Sequence, residues 1–348
     1  MRKRIGTSVW VLTLALALLP ALGGCRRQDS GAYDRGMEAL AAAEYDTAME
    51  EFQAAANEDG RRAEAYRGEG IIYLKRQDYE HAIALFNLSL ENMEHANEEF
   101  REDVLYYQAE AYLGAGQVEE AAAVYQELEG GERPGLAYFQ QGQMKLNEGD
   151  TDQAEELFRQ AVEEDGSYEM YIRVYEAYAA VRREADGAVY LREALEQTPS
   201  DGEDYYREGM ICYYLEDYSQ ARSSLSQAAE DGIDEARLLL GKICLETGDI
   251  SGARSVYQDW LKEEESAASA YNGLALCDIA EGNYDSALVN IENGLSCGGA
   301  EEELLFNEIV VYEYKLDFNT AKEKMQEFLK KYPDNQEAVR ENSFLQSR

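Results

Sequence analysis

Residues 205–225 read YYREGMICYYLEDYSQARSSL, and the reading of this stretch decides the fold. Tyr205 and Gly209 stand four apart, as do Ala221 and Leu225, and Tyr218 precedes Ala221 by three. Separations of three and four put residues on a single helix face. Between the two sets, Glu216-Asp217 interrupts the pattern with an aspartate suited to starting a new helix. The stretch therefore predicts a helix, a tight turn and a second helix. Gly209 and Ala221 are small where the two helices approach, and Tyr205, Tyr218 and Leu225 are large beside them.

The same arrangement recurs outward in both directions. Aligned on Ala221, the chain offers Ala48, Ala82, Ala121, Ala154, Ala188, Ala253, Ala287 and Ala321, at steps of 32 to 39 residues. Four residues after most of them stands a large apolar residue: Phe52, Phe86, Tyr125, Phe158, Tyr257, Ile291 and Met325. Twelve residues before stand Gly36, Gly70, Gly142 and Gly241. Turn signals repeat as Gln77-Asp78, Gly149-Asp150, Gly248-Asp249 and Gly282-Asn283. The joints between units carry Pro134, Pro199 and Pro333, or Asp-Gly pairs such as Asp59-Gly60, Asp165-Gly166 and Asp231-Gly232, which end helices. One such unit cannot bury its apolar face alone, so neighbours must stack. The unit around Ala188 departs, with Glu176 in the small position and Arg192 in the large apolar one, and Ile309 fills the small position in the unit of Ala321.

These columns resemble the tetratricopeptide repeat (TPR) family. The resemblance implies an all-α fold, an α-solenoid of about nine helix–turn–helix repeats over residues 29–335, with 336–348 as a C-terminal capping helix. The 39-residue step around Glu91–Phe100 predicts a longer helix or loop there. In this family the first helices of successive repeats line a concave groove. The positions that the resemblance assigns to it hold Tyr106, Phe139, Tyr206, Tyr213, Tyr214, Phe306 and Tyr314, with the carboxylates Glu110, Glu203 and Glu246 among them. Aromatic rings flanked by carboxylates suit an extended basic peptide, through cation–π and charge attraction. Some family members grip a C-terminal carboxylate with Lys and Asn at fixed groove positions. Here those positions hold Arg67 with Ile71 and Arg173 with Ala177, so that clamp is not expected.

The N-terminus carries a separate message. Arg2, Lys3 and Arg4 precede an apolar run from Val9 to Leu19, followed by Leu22-Gly23-Gly24-Cys25. The run is short for a membrane span and has the flanks of a signal peptide. Leu-Gly-Gly-Cys resembles the lipobox of bacterial lipoproteins. That resemblance implies a signal peptide over 1–24, lipid attachment at Cys25, a short tether over 25–28 and an exported body anchored to the bacterial cell membrane. Residues 28–348 hold 27 basic residues against 70 acidic ones, so an anionic leaflet would repel the body while Arg26 and Arg27 sit at the lipid.

Charge and composition exclude much else. The 348-residue chain has a net charge of −38, which denies nucleic acid the basic footprint it needs. Hydrophobic residues make up 45%, enough for a folded body despite the acid excess. His81 and His95 are the only histidines, with no nucleophile at a telling offset, and no phosphate-loop, zinc-protease or nucleophile-elbow motif occurs. No catalytic residue, metal site or cofactor is expected. Cys212, Cys244, Cys277 and Cys297 read as small fillers, since stacked helices hold equivalent positions too far apart to bridge. The sequence thus predicts a lipid-anchored scaffold that binds other proteins. An adaptor for cell-envelope assembly or wall enzymes is an alternative, and a carbohydrate-capturing lipoprotein is a third.

Overall fold

The computed structural model describes residues 31–57, 61–93 and 97–348. The signal peptide, Cys25, the tether and His95 lie outside the described residues. The described residues form nineteen helices and no strand. They divide into two compact units, the first ending at Gly187 and the second beginning at Ala188.

The first unit contains α1 (Ala32–Ala41), α2 (Tyr45–Ala55), α3 (Arg62–Lys75), α4 (Tyr79–Glu91), α5 (Glu98–Gly114), α6 (Val118–Leu128), α7 (Pro134–Glu148), α8 (Thr151–Asp165) and α9 (Tyr168–Ala180). The second contains α11 (Gly202–Tyr214), α12 (Tyr218–Glu230), α13 (Asp234–Glu246), α14 (Ile250–Glu263), α15 (Ala268–Glu281), α16 (Tyr284–Cys297), α17 (Glu301–Tyr314), α18 (Phe318–Lys331) and α19 (Gln336–Leu345). Helix α10 (Glu184–Ala194) spans the division.

Local chemistry sets the corners. The second helices α4, α8, α12, α14 and α18 open on Asp78, Asp150, Asp217, Asp249 and Asp317, whose carboxylates accept a backbone N–H three residues on. Each cap satisfies one of the free donors that a helix start leaves. The preceding residue is left-handed, and glycine takes that position readily at Gly149 and Gly248.

The alignment alanines Ala48, Ala82, Ala121, Ala154, Ala221, Ala253, Ala287 and Ala321 are all fully buried. Their large companions lock neighbouring repeats together. The ring of Phe52 lies so close to Gly36 and Gly68 that a Cβ on either would come within 2.7 Å of it. Tyr257 sits likewise between Gly241 and Gly273, where a Cβ would come within 2.3 Å. Gly36 and Gly241 belong to the ring's own repeat, and Gly68 and Gly273 to the next. One buried ring therefore fills two interfaces, which is how a unit without its own core obtains one.

The unit aligned on Ala188 needs correction. Gly187, not Ala188, occupies the tight position: Gly187 is buried, and a Cβ there would lie 2.9 Å from the Tyr175 Cα. Four residues on stands fully buried Leu191, while Arg192 is exposed. The departure at Arg192 thus comes from a register one residue late, while the small position of the first helix, twelve before Gly187, is held by Tyr175. This repeat keeps the pattern with the small residue on the second helix.

Within each unit, successive first helices meet: α1 with α3, α3 with α5 and α7 with α9, then α11 with α13, α13 with α15 and α15 with α17. Among the described residues, successive second helices of a unit make no comparable contact. The first helices therefore lie on the inner side of each unit, and their outward side chains form its inner face. Helix α19 closes the second unit, burying Ala338 and Leu345 against the core with Phe328 and Met325.

Candidate partner-binding face

In the second unit the inner face gathers tyrosines from adjacent helices. Tyr213 at the end of α11 donates its hydroxyl to Glu246 Oε1 on α13 at 3.3 Å. Its ring lies 6.2 Å from Tyr214 and 6.1 Å from Tyr218. Over that ring stands the ammonium of Lys242, 4.9 Å from the centroid. An ammonium within about 6 Å of a tyrosine face is held by the ring quadrupole. The arrangement of ring and carboxylate expected for a partner's cation is thus filled by a lysine of the chain itself.

The remaining residues expected on the face have varied fates. Glu203 pairs with Arg207 at 2.6 Å, and the Arg207 guanidinium lies 5.9 Å from the Tyr206 ring. Tyr206 packs partly into the core of its unit. Phe306 is half-buried, 5.8 Å from Phe328. Tyr314 is exposed at the tip of α17, stacked on Tyr284 at 5.6 Å with the rings 6° from parallel. Beside them, Asn307 donates to Asn272 Oδ1 at 2.7 Å across α17 and α15.

In the first unit two expected residues are core instead. Tyr106 is buried, donates its hydroxyl to the Arg133 carbonyl at 2.8 Å, and is covered by the Arg133 guanidinium 4.9 Å from its ring. Phe139 is buried 5.8 Å from Phe158. Neither can receive a partner. Glu110 does stay open to water, although the protein crowding it raises its carboxyl above the ordinary value, against the opposing charge of Lys75.

The first unit also holds a network that the aromatic-and-acid pattern did not reveal. Arg67 on α3 donates to Asp103 on α5 at 2.6 Å and to the Tyr33 hydroxyl on α1 at 2.8 Å, and stacks 4.9 Å from Phe100. Three groups, from the first helices before and after its own, meet on one guanidinium. A planar fork of donors makes such a junction where an ammonium would not. Arg67 is therefore tied to its own fold.

No group of metal-ligating side chains stands together among the described residues. No described helix is long and apolar enough to cross a membrane. Cys212, Cys244 and Cys277 are buried free thiols. Burial pushes Cys212 up to about 12 and Cys277 to about 11, so both stay protonated.

A fold of stacked hairpins with an inner face of first helices defines a repeat scaffold for protein interaction. Tetratricopeptide-repeat models match residues 33–96 and 206–268, 103–129 and 303–335, and 136–168, more than half of the sequence. The chain belongs to the tetratricopeptide-repeat family. No curated protein sequence matches it significantly. Among solved structures, a tetratricopeptide-repeat protein of Parabacteroides merdae aligns at a TM-score of 0.51 and 14% identity, over 83% of this chain and all of that one. PilF of Pseudomonas aeruginosa aligns at 0.39 and 20% identity, over 60% and 96%. The type IV pilus biogenesis factor PilW aligns at 0.43 and 16%, over 59% and 96%. At these identities the likeness is one of fold.

Proposed function

We propose that this chain is a non-catalytic adaptor, exported and anchored through lipid on Cys25. In this reading the inner face of its second unit holds an extended basic segment of another protein. The observation that carries it is the Lys242 ammonium over Tyr213, next to Glu246. A ring and carboxylate that already retain a lysine in cis have the chemistry to retain one in trans. Tyr214 and Glu203 extend the same face along α11. Anchoring adds the leader and the Leu22–Cys25 motif, since two acyl chains hold a protein stably at a bilayer where one does not.

The test is a photo-crosslinking residue at position 210, one turn before Tyr213 and Tyr214 on α11, in cells. Crosslinked peptides with Lys or Arg at the junction are expected, and recovery of glycan alone would favour the carbohydrate reading. Lys242→Ala empties the tyrosine site and should raise the yield, with salt lowering it in both proteins. A Lys242→Ala protein that captures less would contradict the cation site. Separately, labelling with a palmitate analogue should vanish in Cys25→Ser, and persistent labelling would remove the anchor.

A further inference from the structure

The corner between α17 and α18 is unlike the others. The chain leaves α17 with Leu316 in the left-handed region at φ +60°. The Leu316 N–H donates to the Glu313 carbonyl at 2.9 Å and the Asp317 N–H to the Tyr312 carbonyl at 2.9 Å, the pattern that closes a helix around a left-handed residue. Other corners use Gly116, Gly149, Gly248 or Gly282, or the small or polar side chains of Ala43, Gln77, Arg182 and Glu216. The clash of Cβ with the following carbonyl is the same for all of these residues that carry one, so Leu316 differs from them in its large apolar side chain and not in its backbone. Leu316 is nevertheless 73% exposed, so no packing offsets that cost. Its side chain does nothing for the fold, and a leucine left this open beside other exposed apolar groups is available to an outside partner.

The surroundings agree. Tyr314, 56% exposed, presents its stack with Tyr284 beside the corner. Lys315 pairs with Asp285 at 2.5 Å, joining the end of α17 to the start of α16. Val289, 57% exposed, lies one turn beyond Asp285 on the same side of α16. Leu316, Val289 and Tyr314 are the three most exposed large apolar residues among those described; Tyr314 and Leu316 flank Lys315 in the chain, and Val289 follows its partner Asp285 by one turn. The rim is acidic on balance: Asp285 and Asp317 share Lys315, and Asp278 and Glu281 share Arg254 at 2.8 and 2.9 Å, so four carboxylates meet two cations. A second copy of this acidic chain or an anionic bilayer would bring like charge to that rim.

We infer that the Tyr284–Tyr314–Leu316 corner is a docking site for a protein segment that carries an apolar or aromatic anchor flanked by Lys or Arg. It is separate from the Tyr213 face and does not depend on it. The experiment selects random phage-displayed peptides on the full chain and measures the selected peptides by fluorescence polarisation. Leu316→Gly suits the left-handed backbone, so its urea midpoint should equal or exceed that of the parent protein. Enriched peptides should combine a large apolar residue with basic neighbours. They should bind Leu316→Gly at least about tenfold more weakly, the loss expected of an anchor at an interface centre. Tyr213→Ala should leave them unaffected. No enrichment, unchanged affinity for Leu316→Gly, or loss only in Tyr213→Ala would overturn the site. So would a Leu316-dependent dimer in sedimentation, or Leu316-dependent binding to phosphatidylglycerol vesicles.

Discussion

Replacing Gly187 with alanine tests the register of the α9–α10 repeat. The added Cβ would stand 2.9 Å from the Tyr175 Cα and 3.1 Å from its carbonyl oxygen. Carbon atoms in good contact stand about 3.5–4.0 Å apart, so the helices must separate by roughly 0.6–1 Å. Two of its three nearest neighbours are backbone atoms, and no rotamer change relieves those. Overpacking of this kind costs about 1–3 kcal/mol, and an unrelieved backbone clash belongs at the upper end. Alanine returns about 1 kcal/mol through helix propensity, leaving a net loss of about 2 kcal/mol. Ala188→Met is the control. The equivalent residue elsewhere is often large, as at Met49, Ile83, Arg222 and Leu288, so this change should stay within about 0.5 kcal/mol. Urea unfolding followed by circular dichroism gives the totals. Hydrogen exchange over residues 168–194 gives the local effect, which matters because repeat arrays can unfold in parts. A mild Gly187→Ala with a damaging Ala188→Met would refute the reasoning and restore the register read from sequence.

Other predictions concern titratable groups and side-chain networks. In Cys25→Ser, Ellman's reagent should react quickly with Cys297 and reach Cys212, Cys244 and Cys277 only on unfolding, because burial keeps the latter three protonated and covered. Three or four fast thiols in the native protein would contradict the packing. Glu313 is raised from 4.5 to about 8 by burial, and then by the charge and hydrogen bond of Glu341 on α19. The folded state thus binds this proton more tightly than the unfolded one. Its contribution is complete below about pH 4.5 and is lost as pH rises towards 8. Exchange in α19 should therefore quicken over that window, and Glu313→Gln should flatten the dependence. Arg67→Lys should destabilise the first unit, since one ammonium cannot serve both Asp103 and Tyr33 from the guanidinium's position; an unchanged urea midpoint would show the junction to be dispensable.

Much of the fold was legible because its constraints are local. A small residue at Ala221, a large one at Leu225 and a capping aspartate at Asp217 each state their role through spacing alone. Gly187-Ala188 was misread because two adjacent small residues satisfy the same column, and only the approach of Tyr175 distinguishes them. The face was less legible, because a column fixes direction and not depth. Tyr106 and Tyr206 are equivalent in the repeat, yet the loop at Arg133 covers Tyr106 while Tyr206 stays partly open. Lys242 passed unnoticed because a search for aromatics and acids says nothing about which cation of the chain reaches them. Leu316 stands open at its corner, and a residue's exposure there is not written in its identity.

The central claim is that each repeat obtains its core from its neighbour, with rings such as Tyr257 filling two interfaces at once. Hydrogen exchange of Tyr257→Ala measures this directly. The account predicts faster exchange in α13 and α14 and equally in α15, where Gly273 meets the ring, with the first unit unchanged. Faster exchange confined to α14, with α13 and α15 as protected as before, would contradict it.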